Sequence, residues 1–472
     1  MDMGLISKVK GWINTILNRK VTEVFGVEVV DTSTMASFVN HCLDVYKGHP
    51  DWVDEEKDVK TINFAKALCS ETARLTTMGI DVSISGSTRA DWLKKQYDKS
   101  SDALRNRVEF GLAQGTMILK PNGDGVDFVP FDRFRITKEE DGEITGAVFV
   151  FSERGDGEDD RWYTRFEYHH FDGNTYVIEN KVYSGEKEGE AVNAVDIAES
   201  PWDELRDRVE IEQVDRPLFA VFKTPQANNI DMDSPYGMPI FADALEELKD
   251  LDIAYSRNAL EIDDSEKIIL LDSDRLVPDG TKITMGANYF QMQRDKMELP
   301  HYVKNVYGDG QQTFYQEITP SLNTEVRLRG INSLLSQIGY KVGFSNGYFV
   351  FNERSGLVTA TQIDADQQRT IQLIKDIRDK LQSCLEDLIY ALDKFADLYN
   401  LSPVGTYEVG FDFSDITYNV EEDKARWYSY VIAGKIPFWY YLQKFEGFTE
   451  EEAKALAAET EQQQPELAMP EE

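Results

Sequence analysis

The chain has 472 residues, 41% apolar and 11% aromatic, enough for a large core and about two to four domains, which excludes a disordered protein. With 85 acidic against 50 basic residues the formal charge is −35, opposite in sign to a protein that grips nucleic acid by neutralising phosphates. No apolar run approaches the ~18 residues of a membrane span, and Cys42, Cys69 and Cys384 form no C-x-x-C pair, predicting reduced, buried thiols of a cytosolic product.

The N-terminal arm, residues 1–32, opens with Leu5, Val9, Trp12, Ile13, Ile16 and Leu17 interrupted by lysines. This pattern predicts an amphipathic helix docking on its own protein in preference to a membrane surface. Residues 33–115 read mostly as helix, in the segments STMASFVNHCLDVY, VKTINFAKALCSETARLTTMG, ADWLKKQYDK and SDALRNRVEFGLAQG, with Gly79 and Gly115 as stops. From Thr116 the period changes to two, and TMILKP, GVDFVPFD, ITGAVFVFSE, RWYTRFEYHHF and NTYVIENKVY predict a β-rich meander. Its turns fall at Asn122-Gly123-Asp124, Asp141-Gly142 and Asp172-Gly173-Asn174. The strand LFAVFKTP leads into the polar loop QANNIDMDSPYGMP, and a helix is predicted from Pro239, at its first turn, to Asp264. Residues 267–320 read as a lobe of short strands, KIILL, TKITM, NYFQM, Tyr302–Val306 and TFYQEIT. LNTEVRLRGINSLLSQIGY restores helical spacing.

Residues 361–400 contain neither Gly nor Pro. Ile374, Leu381, Leu388 and Phe395 recur at intervals of seven, and Ile377, Cys384, Ala391 and Leu398 repeat that spacing three residues on. Together with Ile371, Leu385, Leu392 and Tyr399 they place a wide apolar stripe on a helix about 60 Å long. Beyond it come the strand TYEVGFDFSD, helices Glu421–Ala433 and Pro437–Phe445, and an acidic tail.

Motifs for catalysis are scarce. No Gly-rich phosphate cradle or H-E-x-x-H helix occurs. Gly343-Phe344-Ser345-Asn346-Gly347 fits G-x-S-x-G, but a helix precedes it and no histidine lies beyond His301, so it reads as a turn. Asp231-x-Asp233 lacks the Gly and Glu of a calcium loop, whose places are held by Tyr236 and Ala242. The Gly155–Asp160 cluster reads as a solvated turn, and His169 and His170 point to opposite faces of a strand. His41 sits in an apolar helix pattern as a core residue. No enzyme activity, cofactor or metal is expected.

From Leu218 to Asn400, the chain resembles the portal proteins of tailed siphophages. Phe222–Pro225, Ala227–Gly237 and the signature Thr359-Ala360-Thr361-Gln362-Ile363 carry the resemblance, with Gln362 where the family has Glu. It implies an α+β ring subunit, usually one of a dodecamer, at one capsid vertex. Its parts would be a wing (33–237, helical then β-rich), stem helices (238–264 and 322–340), a small α/β clip (265–321), a tunnel loop (341–360), a long strut helix (361–400) and a helical crown with an acidic tail (401–472). The implied role is a conduit for double-stranded DNA in packaging and ejection, without sequence readout. Implied partners are the terminase large subunit, then a head-completion or adaptor protein, and the major capsid and scaffolding proteins, with assembly in the host cytoplasm and no membrane. Phe344, Ser345, Asn346, Gly347, Tyr348, Phe349, Val350, Phe351, Asn352 and Arg354 would form the DNA-facing loop, or else an ordinary helix connection. Arg327, Arg329 and Lys341 are candidates for weak phosphate contacts or for ion pairs between subunits. A tail-side adaptor or minor capsid protein, and a metal-dependent hydrolase, are the competing readings.

Overall fold

The computed structural model describes residues 17–30, 33–54, 56, 58–122, 125–155, 160–264, 268–272, 303–306, 315–318, 323–350, 360–413, 427–431, 435–446, 453–454 and 456–457. The start of the N-terminal helix, most of the clip, Phe351 to Thr359 and the end of the tail lie outside the described residues. The fold is α+β with mostly antiparallel sheets, as expected. Contacts divide it into one unit of Met1–Thr77 with Val82–Phe411, and another of Met78–Asp81 with Asp412–Glu472.

In the first unit, α1 (17–25), α2 (Ser33–Tyr46), α3 (Phe64–Thr77), α4 (Thr88–Ser101) and α5 (Leu104–Gln114) follow the helical spacing. Strand β1 (Ile80–Ser85) interrupts them and pairs with β14 (Glu408–Phe413). It fills the gap between the helical segments read from sequence: Val82 and Ile84 are buried while Asp81, Ser83 and Ser85 are exposed, a strand alternation too short to stand out among helices.

Strands β2 (Thr116–Pro121), β3 (Val126–Val129) and β10 (Ala220–Lys223) form a three-stranded antiparallel sheet. A second sheet has the order β4 (Phe134–Glu140), β5 (Glu143–Arg154), β6 (Trp162–Asp172), β7 (Thr175–Gly185), β8 (Asn193–Val195), with β9 (Arg208–Ile211) also paired to β7. The β4–β5 turn carries positive φ at Asp141 and Gly142, the conformation of tight hairpins. Strand β4, outside the predicted set, starts beside the short turn Phe131–Arg133. It is buried because Phe131, Phe134 and Ile136 join Met35, Val39, Phe149 and Tyr236 in one core.

Glu167, 5% exposed in β6, accepts from the Lys120 ammonium at 2.7 Å and pairs with Arg165 at 3.0 Å. Burial by itself would raise this carboxyl; the Lys120 and Arg165 cations and the His169 hydrogen bond override it and hold it well below the usual 4.5. A depressed carboxyl stabilises the fold above about pH 4.5, a contribution lost as the pH falls further. Glu167→Gln is therefore expected to lower stability at pH 7 by about 3 kcal/mol, since it strands two buried cations. Its decline between neutral and acid pH is expected to be shallower than in the parent protein. Urea midpoints at both pH values measure this, and parallel pH profiles would refute it.

The three-residue turn Ala242–Ala244 precedes α6 (Leu245–Asp264). The predicted start at Pro239 is corrected, because Pro239 lies ahead of that turn and its carbonyl accepts from Ala242 N at 2.9 Å. Strand β11 (Ile268–Asp272) lies between parallel β12 (Val303–Val306) and antiparallel β13 (Tyr315–Ile318). Helix α7 (Thr324–Val342) packs against α6. Helix α8 (Ala360–Leu398) has 39 residues, and Ile374, Ile377, Leu381, Cys384, Leu385, Leu388, Ala391 and Leu392 of the predicted stripe are buried, while Ile371, Phe395 and Leu398 are half-buried and Tyr399, just past the helix end, is exposed. It packs on α3, α4, β2 and β10. Near mid-helix, buried Arg378 donates from Nε to Thr76 O (3.0 Å) and from NH2 to Leu75 O (2.9 Å), satisfying carbonyls at the C-terminal end of α3. All three cysteines are buried free thiols, as expected.

In the second unit, helical residues 427–431 and α9 (Phe438–Glu446) bring Trp427 to 5.8 Å from Tyr440 and Tyr428 to 5.6 Å from Tyr441. Among the described residues no helix is long and apolar enough to cross a membrane.

Candidate functional site

The loop Ala227–Gly237 and the strand end Phe222–Pro225 meet at a close backbone crossing. Thr224 N donates to Gly115 O (3.0 Å), its hydroxyl to Met238 O (2.6 Å), and Gly237 N to Thr116 Oγ1 (2.8 Å). Asn228 accepts from Ile230 N and Asp231 N at 3.0 and 2.9 Å, folding the loop on itself. Tyr236 reaches the core beside Phe131 and Phe134. Both motifs thus have a structural job: they fix the chain path into α6.

Helices α6 and α7 form a hairpin whose inner face includes Leu248, Leu251, Ile331, Leu335 and Ile338. Its base is tied down where Asp252, 4% exposed, accepts from Trp52 Nε1 and Ile62 N, both at 2.9 Å. Burial raises this carboxyl despite those bonds. Helix α6 carries Glu246, Glu247, Asp250, Asp252, Glu261, Asp263 and Asp264 against Lys249 and Arg257. Two of the three predicted phosphate contacts are engaged inside the chain. Arg327 pairs with Glu261, and Lys341 donates to Glu247 Oε2 (2.8 Å) and Asp243 O (2.9 Å). Both pairs lie within the chain, and of the three only Arg329 stands exposed without an ion pair among the described residues.

At the end of α7, Gly343 takes φ +110 and donates to Gly339 O at 3.0 Å, turning the chain. The segment after this turn is less exposed than a projecting loop. Phe344 is 0% exposed, its ring 4.8 Å from that of Phe349, which lies 5.2 Å from Phe64. Ser345 is buried too, its N donating to Thr370 Oγ1 (2.9 Å) and its hydroxyl accepting from Thr370 Oγ1 (3.0 Å). Phe344 and Ser345 are therefore corrected as surface contacts, since packing and a buried hydroxyl pair occupy them. Asn346, Gly347 and Tyr348 are exposed, Phe349 and Val350 partly so, and Phe351, Asn352 and Arg354 lie outside the described residues. Tyr348 donates to Glu71, itself held by Arg74 at 2.7 and 2.8 Å, and burial with that bond pushes the phenol up to about 12. Thr359 lies outside the described residues, and Ala360, Thr361, Gln362 and Ile363 form the first turn of α8.

Sequence reading missed the residues that hold this segment: Thr370, Glu71, and Arg369, whose guanidinium lies 3.9 Å from the Tyr340 ring centroid and donates to Tyr340 O at 2.7 Å. Nothing local signals them. Thr370→Val is expected to cost about 1–2 kcal/mol by leaving buried Ser345 N without an acceptor. Urea denaturation measures this, and a change below about 0.5 kcal/mol would refute the buried pairing. Among the described residues no group of three or more His, Cys, Asp and Glu is placed to hold a metal ion.

Comparison with known proteins covers the same part of the chain. The family described as phage portal protein, SPP1 Gp6-like, matches residues 133–466. A chain in the structure of the virion of native gene transfer agent (GTA) particle aligns over 89% of this chain and 93% of its own length, at 11% identity and a TM-score of 0.43. No curated protein matches.

Proposed function

We propose, from the premise that this chain belongs to the SPP1 Gp6-like phage portal protein family, that it assembles as a ring at one capsid vertex and conducts double-stranded DNA. The observation that carries the reading is the family match over residues 133–466. The ring is a dodecamer of subunits divided into wing, stem, clip, strut and crown. It takes DNA from the terminase large subunit during packaging, meets the head-completion or adaptor protein afterwards, and releases DNA at ejection. It is a virion structural protein that couples to a separate ATPase and catalyses nothing itself.

Charge supports the conduit. Helix α6 is strongly acidic, and Arg327 and Lys341 are neutralised within the subunit, which leaves little to displace counterions from DNA and stall it. The far end of the hairpin exposes Ile262 (53%) and Val326 (68%), apolar surface that a neighbouring subunit would cover. Mass photometry of the pure protein is expected to give a ring, and a monomer at every concentration would overturn the reading. Deleting residues 350–354 keeps the anchors at Phe344 and Ser345. Rings are expected to survive while packaging stops, and packaging at the parent rate would remove the loop from the mechanism.

A further inference from the structure

The cavity between the six-stranded sheet and the C-terminal end of α8 belongs neither to the helix hairpin nor to the loop after it. Its volume is about 490 Å³, and Lys120, Phe151, Arg165, Glu167, Trp202 and Tyr399 are among its lining residues. That is within the ~300–1,000 Å³ range of small-molecule sites. We propose that this cavity binds a small organic carboxylate, its charged end between Lys120 and Arg165 and its apolar body against Phe151, Trp202 and Tyr399.

Three observations carry the assignment. First, the floor has an unbalanced charge: Lys120 (5% exposed) and Arg165 (7%) face a single carboxylate, Glu167 (5%). His169 adds no compensating negative charge, its ring nitrogens 2.7 Å from Glu167 Oε1 and 2.9 Å from the Tyr176 hydroxyl. A buried net cation is costly unless an anion joins it. Second, donors are left over. Arg165 spends NH2 on Glu167 and NH1 on Asn180 at 3.4 Å, and its Nε is buried with no hydrogen-bond partner. The Lys120 ammonium, a group of three donors, has the Glu167 carboxylate as its acceptor. Third, the cations are framed by aromatic faces. The Arg165 guanidinium lies 4.8 Å from the Phe151 centroid and 5.2 Å from that of Trp202, and Lys120 Nζ lies 5.1 Å from Phe151.

The remaining charged lining groups select for a single negative charge. Asp203, Glu204 and Arg206 are exposed, and Asp127, partly buried, accepts from Asn122. Three acids against one base repel a polyanion, while a lone carboxylate can pass to the cationic floor. Chloride would answer the charge but leave the aromatic walls unused.

Isothermal titration of the full-length protein with benzoate, benzyl alcohol and inorganic phosphate tests the assignment. Benzoate is expected to saturate at one per chain, with benzyl alcohol and phosphate each weaker by about tenfold or more, the worth of a charge-assisted hydrogen bond or of the apolar walls. Arg165→Lys, which keeps the charge and loses Nε, is expected to weaken benzoate by a similar factor. Trp202→Ala removes a wall while keeping Lys120, Arg165 and Glu167 and their ion pairs, so it keeps the test decisive if the floor variant misfolds, and it too is expected to weaken benzoate. No heat with benzoate at millimolar concentration, equal affinity for benzyl alcohol, or unchanged affinity in Trp202→Ala would overturn the proposal.

Discussion

Gly115→Ala is expected to destabilise the protein by on the order of 4 kcal/mol, enough to deplete folded chain at 37 °C. Gly115 ends α5 with φ +80, and a Cβ built there would lie 2.2 Å from Gly237 O and 2.5 Å from Met238 C. Those are backbone atoms, which no side-chain rotation can clear. The left-handed backbone adds about 1–2 kcal/mol for any residue with a Cβ. Gly173 separates the two effects, because it has φ +59 with nothing within 4 Å of a built Cβ. Gly173→Ala should therefore show only the conformational part. Gly237→Ala meets the same crossing, its Cβ 2.3 Å from Gly115 O, so the two substitutions together should cost less than their sum. Thermal and urea denaturation of the four variants give the ranking. A Gly115→Ala protein as stable as Gly173→Ala would mean the backbones do not cross so closely.

Arg89→Leu is the second large effect, about 4 kcal/mol. The Arg89 side chain is fully buried where α8 ends. Its Nε donates to Pro403 O (3.0 Å), NH1 to Asp393 O (2.8 Å) and NH2 to Ser402 O (3.0 Å) and to Asp397. One guanidinium thus serves the last turn of a 39-residue helix and the chain just after it. Leucine fills much of the volume but leaves three carbonyls without their donor, at about 1–3 kcal/mol for each group that stays buried. Arg89→Lys retains the charge yet cannot reach so many acceptors from one nitrogen, and it should fall between the two. Hydrogen exchange of residues 393–403 is expected to rise by at least an order of magnitude in Arg89→Leu, and unchanged protection there would refute the role.

The site was only partly legible in sequence. The segment after α7 reads as Gly- and aromatic-rich, so Phe344 and Phe349 look as available as Tyr348. Phe344 is buried by Phe349, which in turn packs against Phe64. Ser345 is sealed by Thr370. Both outcomes depend on residues distant in the chain, and neither changes local periodicity. Arg327 and Lys341 read as free cations for the same reason: Glu261 and Glu247 lie on another helix, across a lobe of about fifty residues.

What amino-acid order settles here is whatever repeats locally. The α8 stripe needs only the 3.6-residue turn, so Ile374, Leu381 and Leu388 announce their burial unaided; a two-residue period marks β5 to β7 as strands, but the polar Arg165, Glu167 and His169 of β6 are buried against that alternation. The family resemblance between Leu218 and Asn400 likewise rests on contiguous words. Folding alone decides what depends on distant partners: the Gly115–Gly237 crossing, the Arg89 clasp, the paired Glu167 cluster with its spare donors, and the burial of Phe344. Each is a hydrogen bond, charge pair or steric contact acting over a few ångströms between residues dozens to hundreds apart in the chain. Only the folded chain brings them within reach of one another.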